Sequence, residues 1–421
     1  MKSRKKEKVS LHRVNGYRII LQPTANPTIK VECAVNAGFV TETKETSGVN
    51  HLLEHILTDA WVKCGTTCSG YWMDKGVDMN ASTDETLLRY HTRGTLTYID
   101  QMVEYITNIS THPIFKMQVL KKEKEAVIDE LLTYGNDPES DLDQLFNENF
   151  YTGGLVHKDD WRLQIKNLKR MDLEMVKRTF VQNYNPRNIM FIVTGKFKKA
   201  HLLEIFEREL KKKDAGKRLV VESCFSRKHR IVHAHLDSPT SKIVLGFPSC
   251  LSAHEESSFY LNTLCNVLNN ILFEKLRTEL GLVYGVHFNY DVNVCGTTLL
   301  CSVYVREKNI VPCLHNLFKT LQFFKTNPFP QQQILSSRER ELFNYNNSLP
   351  YTKDYLLQYM HQIKDETAVV HSVKEKMDMI NTVTPAKLTE LLNTVCNIDE
   401  CLIVYQGKKN LNLSWDQLLQ R

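Results

Sequence analysis

Three side chains with chemical capacity stand within five residues of this sequence, His51-Leu-Leu-Glu54-His55, inside "GVNHLLEHILTDAW" at 48–61. On an α-helix, positions i and i+4 share a face one turn apart. His51 and His55 can therefore hold one metal ion between them. Glu54 stands beside His55 on the adjacent face, where its carboxylate can reach a water on that metal without being a ligand. A zinc centre that performs chemistry has three protein ligands and one open position for water. The metal acidifies the water and a carboxylate takes its proton. An ordinary surface helix can carry the same five residues, so a third ligand separates the two readings.

The segment "KKEKEAVIDELL" at 121–132 offers that ligand. It has helical spacing, and Glu123 and Glu130 stand two turns apart on one face. Glu130 is the candidate third ligand. Glu123 is placed behind the site, where a carboxylate orients a histidine or another ligand. Glu125 falls off that face.

This arrangement resembles the pitrilysin family of zinc peptidases, the inverzincins, to which insulin-degrading enzyme and the mitochondrial processing peptidase belong. The family motif is H-x-x-E-H followed later in the chain by a glutamate that closes an E-x6-E pair. His51, Glu54, His55, Glu123 and Glu130 match it residue by residue. The resemblance implies Zn2+ bound by His51, His55 and Glu130, with Glu54 activating water. It extends to "NAST" at 80–83, similar to an edge strand on which family substrates lie extended; Asn80 and Ala81 are then the residues that line the substrate backbone. It extends also to "LRTELGLVYGV" at 276–286, where Arg277, Gly281, Leu282 and Tyr284 match a family segment. Arg277 and Tyr284 are thereby expected to hydrogen-bond the substrate carbonyl as an oxyanion forms. Family members of this length build their chamber from two chains, so the resemblance implies a homodimer or a heterodimer with a related chain. Its departures are Asn50, where the family has a small residue, and "KCGTTCSG" at 63–70 in place of the usual turn.

The elements that must position these residues follow from pattern. "GYRIILQP" at 16–23 and "TIKVECAVNAG" at 28–38 predict two antiparallel strands bounded by Gly and Pro. Leu52, Leu53, Ile56 and Leu57 give the histidine segment an apolar helical face, with Ser47 as the expected cap. Residues 78–94 return to strand character. Helices are expected over 97–115, 116–134, 137–151 and 171–183, and a strand over 188–197. "CLIVYQGKK" at 401–409 echoes "MFIVTGKFK" at 190–198, and the strand 241–249 followed by a helix from 255 to about 280 echoes the opening of the chain. The fold class expected is α+β, with two homologous domains, each a mostly antiparallel sheet packed against helices. The expected boundaries are a basic arm 1–14, a metal-binding domain 15–210, a linker 211–228 and a second domain 229–421.

Composition excludes other classes. The 421 residues, 42% hydrophobic and 24% charged, describe a globular chain. The apolar runs are far too short to cross a bilayer. The basic excess of 54 − 48 = 6 is concentrated in "MKSRKKEK" and "KKKDAGKR", without the aromatic-interleaved basic surface that nucleic-acid binding needs. The start lacks an apolar stretch typical of secretion and an acid-free amphipathic helix typical of mitochondrial import. Eleven cysteines in no regular framework are expected to be reduced thiols in a cytoplasmic protein, with Cys64 and Cys68 spaced by chance. A catalytically silent relative serving as a scaffold is the competing reading; the presence of all five motif residues argues against it.

Overall fold

The structure is a computed structural model that describes residues 10–64, 67–137, 139–217, 225–226, 230–251, 256–293, 295–347 and 378–419. It contains two compact units. Among the described residues, unit one holds the chain up to Gly135 and again from Gly153 to 217; unit two holds 136–152 and the described residues from 225 onward.

Unit one opens with β1 (Ser10–Val14), β2 (Tyr17–Pro23) and β3 (Thr28–Val35). β1 falls within the stretch expected to be a free arm. It pairs antiparallel with β2 because Asn15 and Gly16, both at positive φ, turn the chain back at once. Next come α1 (Val49–Thr58), α2 (Cys68–Met73), β4 (Asp78–Thr83), β5 (Leu88–Thr95), α3 (Ile99–Thr111) and α4 (Met117–Gly135). The strand character of 78–94 thus resolves into a hairpin. The sheet runs in the order β1-β2-β6-β3-β5-β4, with β6 at Ile189–Gly195. β6 lies parallel to β2 and antiparallel to β3. Both faces of β6 are buried along its whole length, as expected of a continuous apolar run.

Unit two repeats this plan. Its strands β7 (Arg230–His235), β8 (Thr240–Ser249), β9 (Val283–Asn293), β10 (Gly296–Arg306) and β11 (Leu402–Gly407) form the order β7-β11-β8-β10-β9. β11 lies parallel to β7 and antiparallel to β8. That is the relation β6 has to β2 and β3, so the sequence echo between 190–198 and 401–409 marks equivalent strands. The helix Leu261–Phe273 continues into a π-helical turn at Glu274–Glu279. Each unit has its own apolar core.

The division differs from a cut at the linker. The helix α5 (Ser140–Phe150) belongs to unit two. Its Leu142, Phe146 and Phe150 are buried. Phe146 and Phe150 stack with centroids 4.7 Å apart. They lie where a Cβ on Gly246 would meet them at 2.6–2.7 Å, so glycine at this point of β8 leaves room for the two rings as the helix packs against β11 and β7. Part of the expected linker 211–228 and residues 1–9 of the expected arm lie outside the described residues.

Cys64 and Cys68 are joined by a disulfide, a correction to the expectation of reduced thiols throughout. The turn after α1 brings the two Cα atoms to 4.6 Å, within bridging range. Trp61 and Trp72 stack beside it at 5.7 Å. No described helix is long and apolar enough to cross a membrane.

Candidate metal centre

Helix α1 forms because Val49, Leu52, Leu53, Ile56 and Leu57 present one apolar stripe, all at most 2% exposed. That stripe faces the core and turns His51, Glu54 and His55 toward α4 and β4. The helix does not begin as expected. Ser47 gives no cap; Gly48 is the cap residue, in the left-handed region at φ 93°. The cap function falls to Glu42, six residues upstream. One carboxylate oxygen accepts the Gly48 N–H and the other the Asn50 N–H, each at 2.8 Å. Glu42 therefore satisfies two of the donors a helix start leaves open. Burial pushes its carboxyl up to about 8, against the pull of those two amides. Asn50, a departure from the family pattern, is buried beside it. Its amide donates to the Gly38 carbonyl at 2.8 Å, and its oxygen accepts from Asn183 at 3.0 Å.

Helix α4 buries Leu120, Glu123, Val127 and Leu131 and leaves Glu130 at its open edge. Glu130 Oε2 lies 3.3 Å from His51 Nε2 and 3.5 Å from His55 Nε2. Glu123 Oε2 lies 3.2 Å from His55 Nδ1, and Lys122 reaches Glu123 Oε1 at 2.9 Å and Asp59 at 3.4 Å. The His55 contact, aided by Lys122, holds the Glu123 carboxyl below its ordinary range. An ionised carboxylate only accepts, so Nδ1 carries a proton and Nε2 is the nitrogen left to face a metal. Burial pulls the His55 ring down, but its contact with Glu123 and the charges of Glu130 and Glu54 raise it overall. The His51 contact lowers Glu130.

The donor set fits zinc. His51, His55 and Glu130 each offer one ligand atom, all within 4.8 Å of one another. Ligands held at about 2.0–2.2 Å by a tetrahedral zinc lie about 3.3–3.6 Å apart, matching the two imidazole–carboxylate separations. Two imidazoles and one carboxylate are also the ligand types such a centre uses.

Glu54 is 9% exposed. Burial raises its carboxyl above the ordinary range, partly offset by a hydrogen bond from Thr83. Thr83 Oγ1 donates to Glu54 Oε2 at 2.8 Å. Sequence pattern missed both Thr83 and Glu42. Thr83 stood at the end of "NAST" with no role, and nothing local in the chain links Glu42 to the helix start.

β4 is the outermost strand of its sheet and pairs only with β5 among the described strands. Alternation turns Met79 and Ala81 toward the core and Thr83 toward Glu54, with Asn80 on the other face. The Asn80 side chain bonds locally to the Ala81 N–H at 2.8 Å. Between β4 and α1 runs a cleft of about 520 Å³ containing His51, Glu54, His55 and Glu130, with Asn80 and Ala81 along its opposite wall. Phe39, Thr58 and Met79 also line it.

Arg277 and Tyr284 lie in unit two and meet each other. The Arg277 guanidinium donates to the Tyr284 carbonyl and covers the Phe273 ring at 5.2 Å. The Tyr284 ring is 45% exposed, and its hydroxyl oxygen accepts from Arg306 Nε at 2.9 Å. Tyr284 is therefore not a core residue. Of the other histidines, His91 is held among Lys30, Arg89 and Arg93 and driven down to about 4, chiefly by burial. His112 bonds Thr111 at 2.7 Å. Neither joins the metal group.

Two family models match the chain. Residues 18–158 match "Insulinase (Peptidase family M16)" and residues 170–340 match "Peptidase M16 inactive domain". A Bacillus subtilis protein named as an uncharacterised zinc protease is 23% identical over 66% of this chain and 69% of its own length. The mitochondrial-processing peptidase subunit beta of Dictyostelium discoideum is 22% identical over 45% of this chain and 41% of its own. The crystal structure of a protease from Helicobacter pylori superposes with a TM-score of 0.83 at 16% identity, over 95% of this chain and 99% of that one. Unit one carries the metal group, and the matched "inactive" domain carries no comparable group among the described residues. By these matches, and by its two-unit fold, the chain belongs to the M16 family of peptidases.

Proposed function

We propose that this protein is a zinc-dependent endopeptidase acting on extended peptides or precursor segments. The observation that carries this reading is the convergence of His51, His55 and Glu130 within 4.8 Å beside the buried Glu54. Zinc held there supplies Lewis acidity toward a carbonyl oxygen and toward water. Glu54 takes the proton of the attacking water and delivers it to the leaving amine. Its raised affinity for protons, a consequence of burial, suits a group that must both accept and release one. His55 is held in one tautomer by Glu123. The free edge of β4 offers unpaired backbone groups to an extended peptide, which adds as a further strand along Asn80 and Ala81. Arg277 and Tyr284 are the oxyanion donors of this reading. Because Arg306 already donates to the Tyr284 oxygen, the phenol proton is free for that use. The chain carries two α+β units, and similarity to a protein named as a processing-peptidase subunit supports a working assembly of two chains, identical or related.

The test pairs zinc content with cleavage of a mixed pool of unstructured peptides, for the wild type and Glu54→Gln. About one zinc per chain in both, with cleavage in the wild type alone, is the expected result. Zinc in both without cleavage in either favours the silent scaffold. Absence of zinc from both refutes the metal assignment.

A further inference from the structure

We propose that Thr83 is a positioning residue for Glu54, holding the carboxylate in the one orientation from which it can serve as base; this rests on the reading of Glu54 above. A glutamate on a helix has three rotatable side-chain bonds, and its last torsion is broad. Burial alone does not fix where its two oxygens point. In this structure Thr83 Oγ1 donates to Glu54 Oε2 at 2.8 Å. Among the described residues no other hydrogen bond reaches this carboxylate. One oxygen is thus held, on a side chain that lines the same cleft as His51, His55 and Glu130.

The donor is itself fixed from two sides. Thr83 closes β4, and the register Thr83↔Leu88 and Ala81↔Tyr90 sets which face its side chain takes. A slip of one residue would turn it away from α1. Its branched side chain also has few rotamers. The strand whose free edge receives the peptide in the reading above therefore also sets the base. Seating a substrate along β4 steadies the residue that holds Glu54.

The experiment compares the full chain as wild type, Thr83→Val and Thr83→Ser. Valine keeps the branched shape and loses the hydroxyl; serine keeps the hydroxyl. Expected for Thr83→Val is a kcat lower by about 10- to 100-fold, the scale of one hydrogen bond to a charged group, with KM within about twofold and zinc at the wild-type level. Thr83→Ser is expected to recover most of the rate. In crystals, Glu54 should hold one side-chain conformer in the wild type and several in Thr83→Val. Wild-type kcat in Thr83→Val, or a change confined to KM, overturns the inference. If the wild type itself cleaves nothing, the peptidase reading fails separately, and the crystals still decide: a single unmoved Glu54 conformer in Thr83→Val overturns the positioning role, and a dispersed one sustains it.

Discussion

Glu123 does not touch the metal position, yet zinc affinity should depend on it. Its Oε2 lies 3.2 Å from His55 Nδ1, while His55 Nε2 faces Glu130 at 3.5 Å. Glu123→Ala removes the partner that keeps the proton on Nδ1 and the ring in plane. His55 must then pay for both from the binding energy, and carboxylates in this position are worth about 10–100-fold in metal affinity, or about 1.4–2.7 kcal/mol. The substitution also leaves Lys122 with Asp59 alone at 3.4 Å. That ammonium is 62% exposed, so solvent screens it and its effect on the centre is small. Glu123→Gln keeps an acceptor for Nδ1–H without the charge and should fall between wild type and alanine. Competition with a chromophoric chelator at fixed pH and salt measures the three dissociation constants, and melting of the metal-free proteins checks that each is folded. Equal zinc affinity in Glu123→Ala and wild type, with both folded, would refute the argument that His55 is oriented through its second nitrogen.

Two further expectations concern the scaffold. Glu42→Ala leaves the Gly48 and Asn50 N–H groups buried without acceptors and should cost unit one about 2–4 kcal/mol in urea unfolding; stability within 0.5 kcal/mol of wild type would exclude Glu42 as the helix cap. His91 has its pKa lowered to about 4, so the unfolded chain takes up its proton first, near pH 6.5. Stability from this residue is present above that pH and lost as pH falls toward 4, by at most about 3 kcal/mol at about 1.36 kcal/mol per unit, less because the ring keeps some solvent. His91→Gln should flatten the unfolding free energy between pH 7 and pH 5, and an unchanged slope would exclude His91 as its source.

Two pairings were legible because they are local: helical spacing sets His51 against His55 and Glu123 in line with Glu130. That the second pair would meet the first came from the family resemblance, because the packing of α4 on α1 joins residues 75 apart in the chain. What remained hidden depends on chain folding over distance. A serine just before a helix is the local signal for a cap, so Ser47 was expected; the acceptor that arrives is Glu42, returned by the turn at 39–41. The Thr83–Glu54 contact depends on the pairing of β4 with β5, and no periodicity specifies which residue ends opposite a helix. The Cys64–Cys68 bridge depends on the turn after α1 rather than on spacing. The apolar stripe of α5 announces a buried face without saying which sheet it covers, and the break at 136–152 follows from that.

That break makes the two halves of the gene unequal to the two bodies of the protein. A fragment ending at 210 would carry Phe146 and Phe150 on a helix with its natural floor removed. A fragment starting at 229 would expose the strip of β8 at Gly246, where no side chain of its own can stand in. Neither piece is a finished module, and each should be sticky until the other is supplied. No single cut separates the two bodies: one placed before α5 takes β6 away from unit one, and one placed at the basic stretch takes α5 away from unit two.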